Sequence, residues 1–107
     1  DPYPAPLNDP QITVLAPELR EWLGFQPAVV VNEPGEVMKV QQPVRNLSER
    51  QYLIDYRILF YDANGLQLEP TMGWTMVALG PKQTARLTAN SLDDRAENYR
   101  LEVKWAR

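Results

Sequence analysis

Asp55, Asp62 and Glu69 are the carboxylates close enough along the chain to be weighed as an acid–base pair. Two such groups acting across a glycosidic bond must stand roughly 5–10 Å apart in a cleft. Their local context points to plainer duties. Asp55 shares a strand face with Arg57, Asp62 opens a turn, and Glu69 precedes Pro70. Asp93 and Asp94, taken with Asp62, offer oxygen ligands for calcium, but the spacing is not that of an EF-hand loop, and caps and turns account for all three. Ser48 and Ser91 have no histidine to activate them. A serine–lysine arrangement would have to draw on Lys39, Lys82 or Lys104, and no spacing brings one of these beside a serine.

The chain has no cysteine and no histidine. Thiol nucleophiles, disulfides, Cys/His zinc sites and imidazole proton transfer are thereby removed. No glycine-rich phosphate loop occurs. The expectation is a protein that is not an enzyme, with no catalytic, metal-binding or cofactor-binding residue and no cofactor. Aromatic side chains are the remaining handle. Trp22, Phe25, Tyr61 and Trp74 do not all fit the core sets described below, and they are the candidate partner-binding residues. The competing role for them is to cover the open ends of the fold.

The elements that must position these side chains follow from the hydrophobic pattern. A chain of 107 residues, 44% hydrophobic and 23% charged, is one soluble domain with a single core. Its net charge of −3 and the absence of a basic cluster argue against nucleic acid as a partner. No apolar run reaches the ~18 residues of a membrane span.

The first ten residues, DPYPAPLNDP, hold four of the ten prolines. Residues 1–11 are expected to form an extended tether and residues 12–107 the folded domain. Ile12 to Leu15 suits a short edge strand. In APELREWLGF, Pro17 and Glu18 suit a helix start and Gly24 a stop, with Leu19, Trp22 and Leu23 on one face.

From Ala28 onward the period is two. AVVVN is a β-branched run. EVMKVQQPVRN places Met38, Val40 and Val44 on one side, and Pro43 marks an edge or a bulge, so that Arg45 and Pro43 are expected on an exposed edge. YLIDYRILFY puts Tyr52, Ile54, Tyr56, Ile58 and Phe60 on one face and Asp55 and Arg57 on the other. DANG turns the chain, and LQL is expected as the returning strand. GWTMVAL has two possible parities, Val77 with Leu79 inward or Trp74 with Met76 inward. KQTARLTAN and NYRLEVKWA alternate cleanly. Between them, SLDDRAEN is expected to make one helical turn capped by Ser91, with Asp94 in capping-box position.

About seven short strands with turn signals every ten residues or so describe an all-β, antiparallel sandwich with Greek-key connections. An open barrel is the alternative. The design adds a short N-terminal helical segment and a one-turn helix before the last strand.

YRILFYDANGLQLEP, WTMVALGPKQTARLTANS and NYRLEVKW, preceded by RNLSERQ, resemble the YcfL-like family of small bacterial lipoproteins across residues 29–105. The resemblance implies an Ig-like sandwich. It also implies an exported precursor whose lipid-bearing cysteine precedes Asp1, and a periplasmic location with anchorage to the outer membrane. It carries over no catalytic residue. The expected function is that of a membrane-tethered protein-interaction module whose partner is an envelope protein or a cell-wall component. The alternative is a small-molecule or glycan-binding sandwich that uses the aromatics near Trp74.

Overall fold

The computed structural model describes residues 9–106, so the expected tether falls, up to residue 8, outside the described residues. Eight strands and one short helix follow in the order β1 (Ile12–Val14), α1 (Leu19–Trp22), β2 (Leu23–Phe25), β3 (Val29–Val31), β4 (Lys39–Asn46), β5 (Tyr52–Tyr61), β6 (Thr75–Leu79), β7 (Thr84–Asn90) and β8 (Asn98–Trp105). They form two sheets packed face to face. One has the order β1-β8-β5-β6. The other is built on β4, with β7 along one side and β2 and β3 end to end along the other.

The two-residue rhythm of the sequence sets the core. Ile54, Ile58 and Leu101 from the first sheet meet Val40, Val44 and Leu87 from the second, and each is at most 1% exposed. In β6 the Val77–Leu79 parity is the inward one: Leu79 is fully buried, while Met76 is 60% exposed. The Tyr56 hydroxyl donates to the Thr88 carbonyl across the sandwich (2.9 Å). The expected sandwich is thus the observed architecture, with eight strands instead of about seven.

Several local expectations are corrected. β1 runs parallel to β8, pairing Ile12 with Leu101 and Val14 with Val103, so the sandwich is not wholly antiparallel. β4 is a central strand, so Pro43 and Arg45 do not lie on an edge. Pro43 is opposite Arg86 of β7, and on its other flank lies the gap between β2 and β3, where no ladder donor is required. Gln42, only 2% exposed, reaches into that gap and donates to the Gln26 carbonyl.

Gly24 does not stop α1. The chain passes directly from the helix into β2, Leu23 being already extended, and Gly24 sits opposite Arg45. LQL is not a full strand. Asp62 to Gly65 makes a turn with Gly65 at φ +82°, one bridge pairs Tyr61 with Gln67, and β6 then takes the place beside β5.

No helical turn precedes β8. The Ser91 backbone N–H donates to the Met38 carbonyl and its hydroxyl accepts the Met38 N–H (both 2.8 Å), so the residue extends the β4 region instead of capping a helix. Asp93 then accepts the Arg95 N–H (2.9 Å) in a side-chain turn.

Candidate functional site

β5 rises through the whole sandwich, and its inward face from Tyr52 to Phe60 spans eight residue steps, or ~27 Å. Its two ends differ. At the Tyr52 end α1 supplies Trp22, whose ring stacks on Tyr52 (5.3 Å between centroids, 10° between planes). Trp105 meets both rings edge-on, at 6.1 Å from Trp22 and 5.3 Å from Tyr52. The Trp105 indole N–H donates to the Glu18 carboxylate (2.8 Å). That bond, with a further one from the backbone, holds the Glu18 carboxyl below its ordinary value.

At the same end Asn46, paired with Leu23 of β2, is fully buried. Its amide nitrogen reaches the carbonyls of Arg50, Leu79 and Gly80, which share its two protons, and its oxygen accepts from the Ser48 N–H and hydroxyl. This one side chain joins the β4–β5 connector to the β6–β7 turn.

The Phe60 end is open. Between the β5–β6 connection and the β7–β8 connection lies a cleft of about 210 Å³. Its floor is Ile58 and Phe60, and Leu68, Met72 and Leu92 form apolar walls. Leu92, 71% exposed, is an apolar lip. Glu69, Asp93 and Arg95 stand at the mouth. Arg95 is held by Asp93 at 2.9 Å, and that contact lowers the Asp93 carboxyl. The Arg95 guanidinium is held above its ordinary value by Asp93 first, and also by the charges of Asp62 and Asp94.

Trp74 lies elsewhere, on the outer face of the β1-β8-β5-β6 sheet. Arg57 and Lys104 stand over its ring at 4.5 and 4.3 Å from the centroid, and Arg57 is paired with Glu102 at 2.6 Å. The indole is therefore already occupied by the protein's own cations. Tyr61 carries Arg100 over its ring at 6.0 Å. Phe25 is 4% exposed and belongs to the core, so it offers no surface. The structure does not gather Trp22, Phe25, Tyr61 and Trp74 into one place; Trp22 alone enters an aromatic cluster, and with partners the core pattern had absorbed.

The chemistry candidates are also dispersed. Asp62 accepts the N–H groups of Asn64 and Leu66 within its turn. Arg57 pairs with Glu102 and not with Asp55. Both candidate serines are engaged: Ser48 donates to Asn46 and Ser91 donates to the Asp93 carbonyl. Among the described residues no group of three or more acidic side chains is placed to hold a metal ion.

The open cleft was missed in the sequence because its walls come from irregular segments. The available signal was an apolar residue, Leu92, standing alone in the polar run SLDDR. A further surface is β3. Its three valines are 56%, 41% and 41% exposed, although Val30 lies opposite the buried Val40. The outer edge of β3 has no strand beside it among the described residues.

A family model described as "Protein of unknown function (DUF1425)" matches residues 11–105. The crystal structure of a DUF1425 family member from Shewanella sp. pv-4 has the same fold, with a TM-score of 0.69, 23% identity and 79% of each chain covered. Campylobacter jejuni Cj0090 is similar at a TM-score of 0.65 and 18% identity, covering 90% of this chain and 98% of its own. No curated protein matches the chain by sequence. The chain belongs to the DUF1425 family.

Proposed function

We propose that this DUF1425 family member is a non-enzymatic protein-interaction module of the bacterial cell envelope. In this reading it is of the YcfL-like lipoprotein kind. A lipid on a cysteine that precedes Asp1 in the precursor tethers it to the outer membrane, facing the periplasm. The partner is an envelope protein or a cell-wall component. Both solved relatives are bacterial, and the placement in the envelope rests on the resemblance of YRILFYDANGLQLEP and NYRLEVKW to that lipoprotein family. Among the described residues no helix is long and apolar enough to cross a membrane.

The observation that supports an interaction role is the β3 edge. Soluble domains commonly guard an edge strand with charges, prolines or a covering loop. Here the guard is slight, a strand of three residues between Pro27 and Pro34, and its three valines are left exposed on an edge whose outer backbone groups are unpaired by any strand among the described residues. An extended segment adding there would gain ladder hydrogen bonds and bury the valine side chains.

The test uses the full precursor expressed in its native host, fractionated and then cross-linked in the intact envelope. Membrane-bound material cross-linked to one envelope component, with the cross-link lost in Val30→Lys, is the expected result. Accumulation in the cytosol, or a precursor lacking an apolar leader and cysteine, ends the envelope reading. A second reading, a small-molecule binder, is favoured by the cleft beside Phe60; it moves away from Trp74, whose ring is covered by Arg57 and Lys104.

A further inference from the structure

We infer that the cleft at the Phe60 end receives one bulky apolar side chain of a partner protein, flanked in that partner's sequence by lysine or arginine. The inference rests on the interaction-module reading and specifies the chemistry of its partner.

Size decides first. A cleft of about 210 Å³ is smaller than the roughly 300–1,000 Å³ that encloses a drug-sized ligand. It exceeds the roughly 150 Å³ apolar cavity that suffices for a benzene ring. One aromatic ring system or one branched aliphatic group fits; a sugar chain does not.

Lining decides second. Ile58, Phe60, Leu68, Met72 and Leu92 offer hydrocarbon, an aromatic face and one adaptable thioether. The Met72 sulfur is held by the Ile58 N–H at 3.2 Å, which fixes this wall against β5. Leu92 stands out at the lip, 71% exposed, and would fold over an inserted group.

Charge decides the neighbours of that group. Glu69 and Asp93 stand at the mouth, and the one cation there, Arg95, is bound to Asp93 at 2.9 Å and is also within the field of Asp62 and Asp94. The arginine is thus already neutralised and the mouth is left net negative. A basic residue beside the apolar anchor meets attraction there, and an acidic residue meets repulsion. Each such rim contact is worth about 1 kcal/mol or less, a factor of up to about five in affinity.

The experiment follows the methyl resonances of Met72, Leu68 and Leu92 while capped pentapeptides are added to the folded protein. The probes have a central tryptophan between two lysines, the same tryptophan between two glutamates, and a central alanine between two lysines. The expected result is saturable movement of those methyls with the lysine–tryptophan peptide, binding about fivefold weaker with the glutamate version, and no movement with the alanine version. Glu69→Lys, an exposed change that leaves the core intact, should narrow or reverse the preference between the two tryptophan peptides. Leu92→Ala should weaken both. Added salt should weaken the lysine peptide more than the glutamate one.

Equal binding of the acidic and basic peptides, or no movement of the methyls with either, overturns the inference. If the methyls stay still while the cross-link through β3 persists, the cleft inference fails and the interaction-module reading stands. If free indole binds as tightly as the lysine–tryptophan peptide and no envelope partner is cross-linked, the cleft belongs to small apolar molecules and both readings fall.

Discussion

The two ends of β5 are made from the same kind of face and finish differently. At the Tyr52 end three aromatic rings from α1, β5 and β8 pack on one another, and a buried asparagine ties the neighbouring connectors together. At the Phe60 end the segments that could close it, residues 68–72 and 90–95, stand apart around a cleft of about 210 Å³. A sandwich end is sealed only where distant segments bring large side chains to it. Here α1 supplies one of the rings at one end, and among the described residues no helix stands at the other. The rings at the first end are packed on one another and remain part-exposed over a shallow surface hollow, whereas at the second end the space lies between the connecting segments.

The largest expected effect lies in the inward face of β5 that runs between the two ends. Ile58 is 1% exposed, and Ile58→Asp would bury an unpaired carboxylate in a domain whose whole stability is about 5–15 kcal/mol. Cooperative thermal unfolding should vanish. Arg57→Ala, one residue away on the outer face, gives up a part-buried ion pair with Glu102 and its place over the Trp74 ring, and should cost about 1–2 kcal/mol without abolishing cooperative unfolding. Similar melting temperatures for the two would break the assignment of faces on which the comparison depends.

At the closed end, Asn46→Ala strips partners from three carbonyls and from Ser48 at once. A loss of about 2–4 kcal/mol is expected, or more than about 10 °C in Tm, readable by calorimetry. The sharpest contrast comes from one truncation at each end. Trp105→Ala should cost about 2–3 kcal/mol through the lost ring contacts. Met72→Ala should cost less than about 1.5 kcal/mol, since it enlarges a space that is already open. Equal losses in chemical denaturation would mean that the two ends are sealed alike.

The smallest effect is in acid. Glu18 at the closed end and Asp93 at the open end are both held below their ordinary values, by the Trp105 indole and by Arg95 respectively. A depressed carboxyl stabilises the fold above its unfolded value and loses that contribution as pH falls through the folded one. The window therefore lies below 4.5 for Glu18 and below 3.8 for Asp93. Carboxyl titration by NMR should give both midpoints under these values, and Trp105→Phe should raise only Glu18 toward the ordinary range, the backbone bond still holding it part of the way down. A Glu18 midpoint unmoved by that substitution would show that the indole bond does not form.

Much of the fold was legible because strand faces advertise themselves. The even residues of β5 and the alternation of β7 and β8 each carry a two-residue signal that survives in the structure, and the short strand expected at Ile12 is present. The failures share another cause. Ser91 reads as a helix cap from its neighbours in sequence, yet Met38, far away in the chain, claims both its N–H and its hydroxyl. Pro43 reads as an edge marker, yet a gap between two short strands lets it sit in the middle of a sheet.

The candidate site was hardly legible at all. Trp22, Phe25, Tyr61 and Trp74 were singled out because they failed to fit a pattern, and failing to fit says nothing about where a side chain goes. Phe25 went to the core, Trp74 to a face occupied by Arg57 and Lys104, Trp22 to a plug, and Tyr61 to a surface beside Arg100. The cleft was assembled from β5 and two loops whose spacing carries no period.

From the order of its residues alone, this protein's layered β architecture and the inward face of its four longest strands, β4, β5, β7 and β8, were determined, because side-chain alternation is a local property of extended backbone. Tertiary structure decided which end of the sandwich is sealed, which asparagine holds two connectors together, and where apolar surface remains open. Those outcomes depend on which distant segments arrive beside one another, and that is fixed by the packing of the whole chain rather than by any neighbourhood within it.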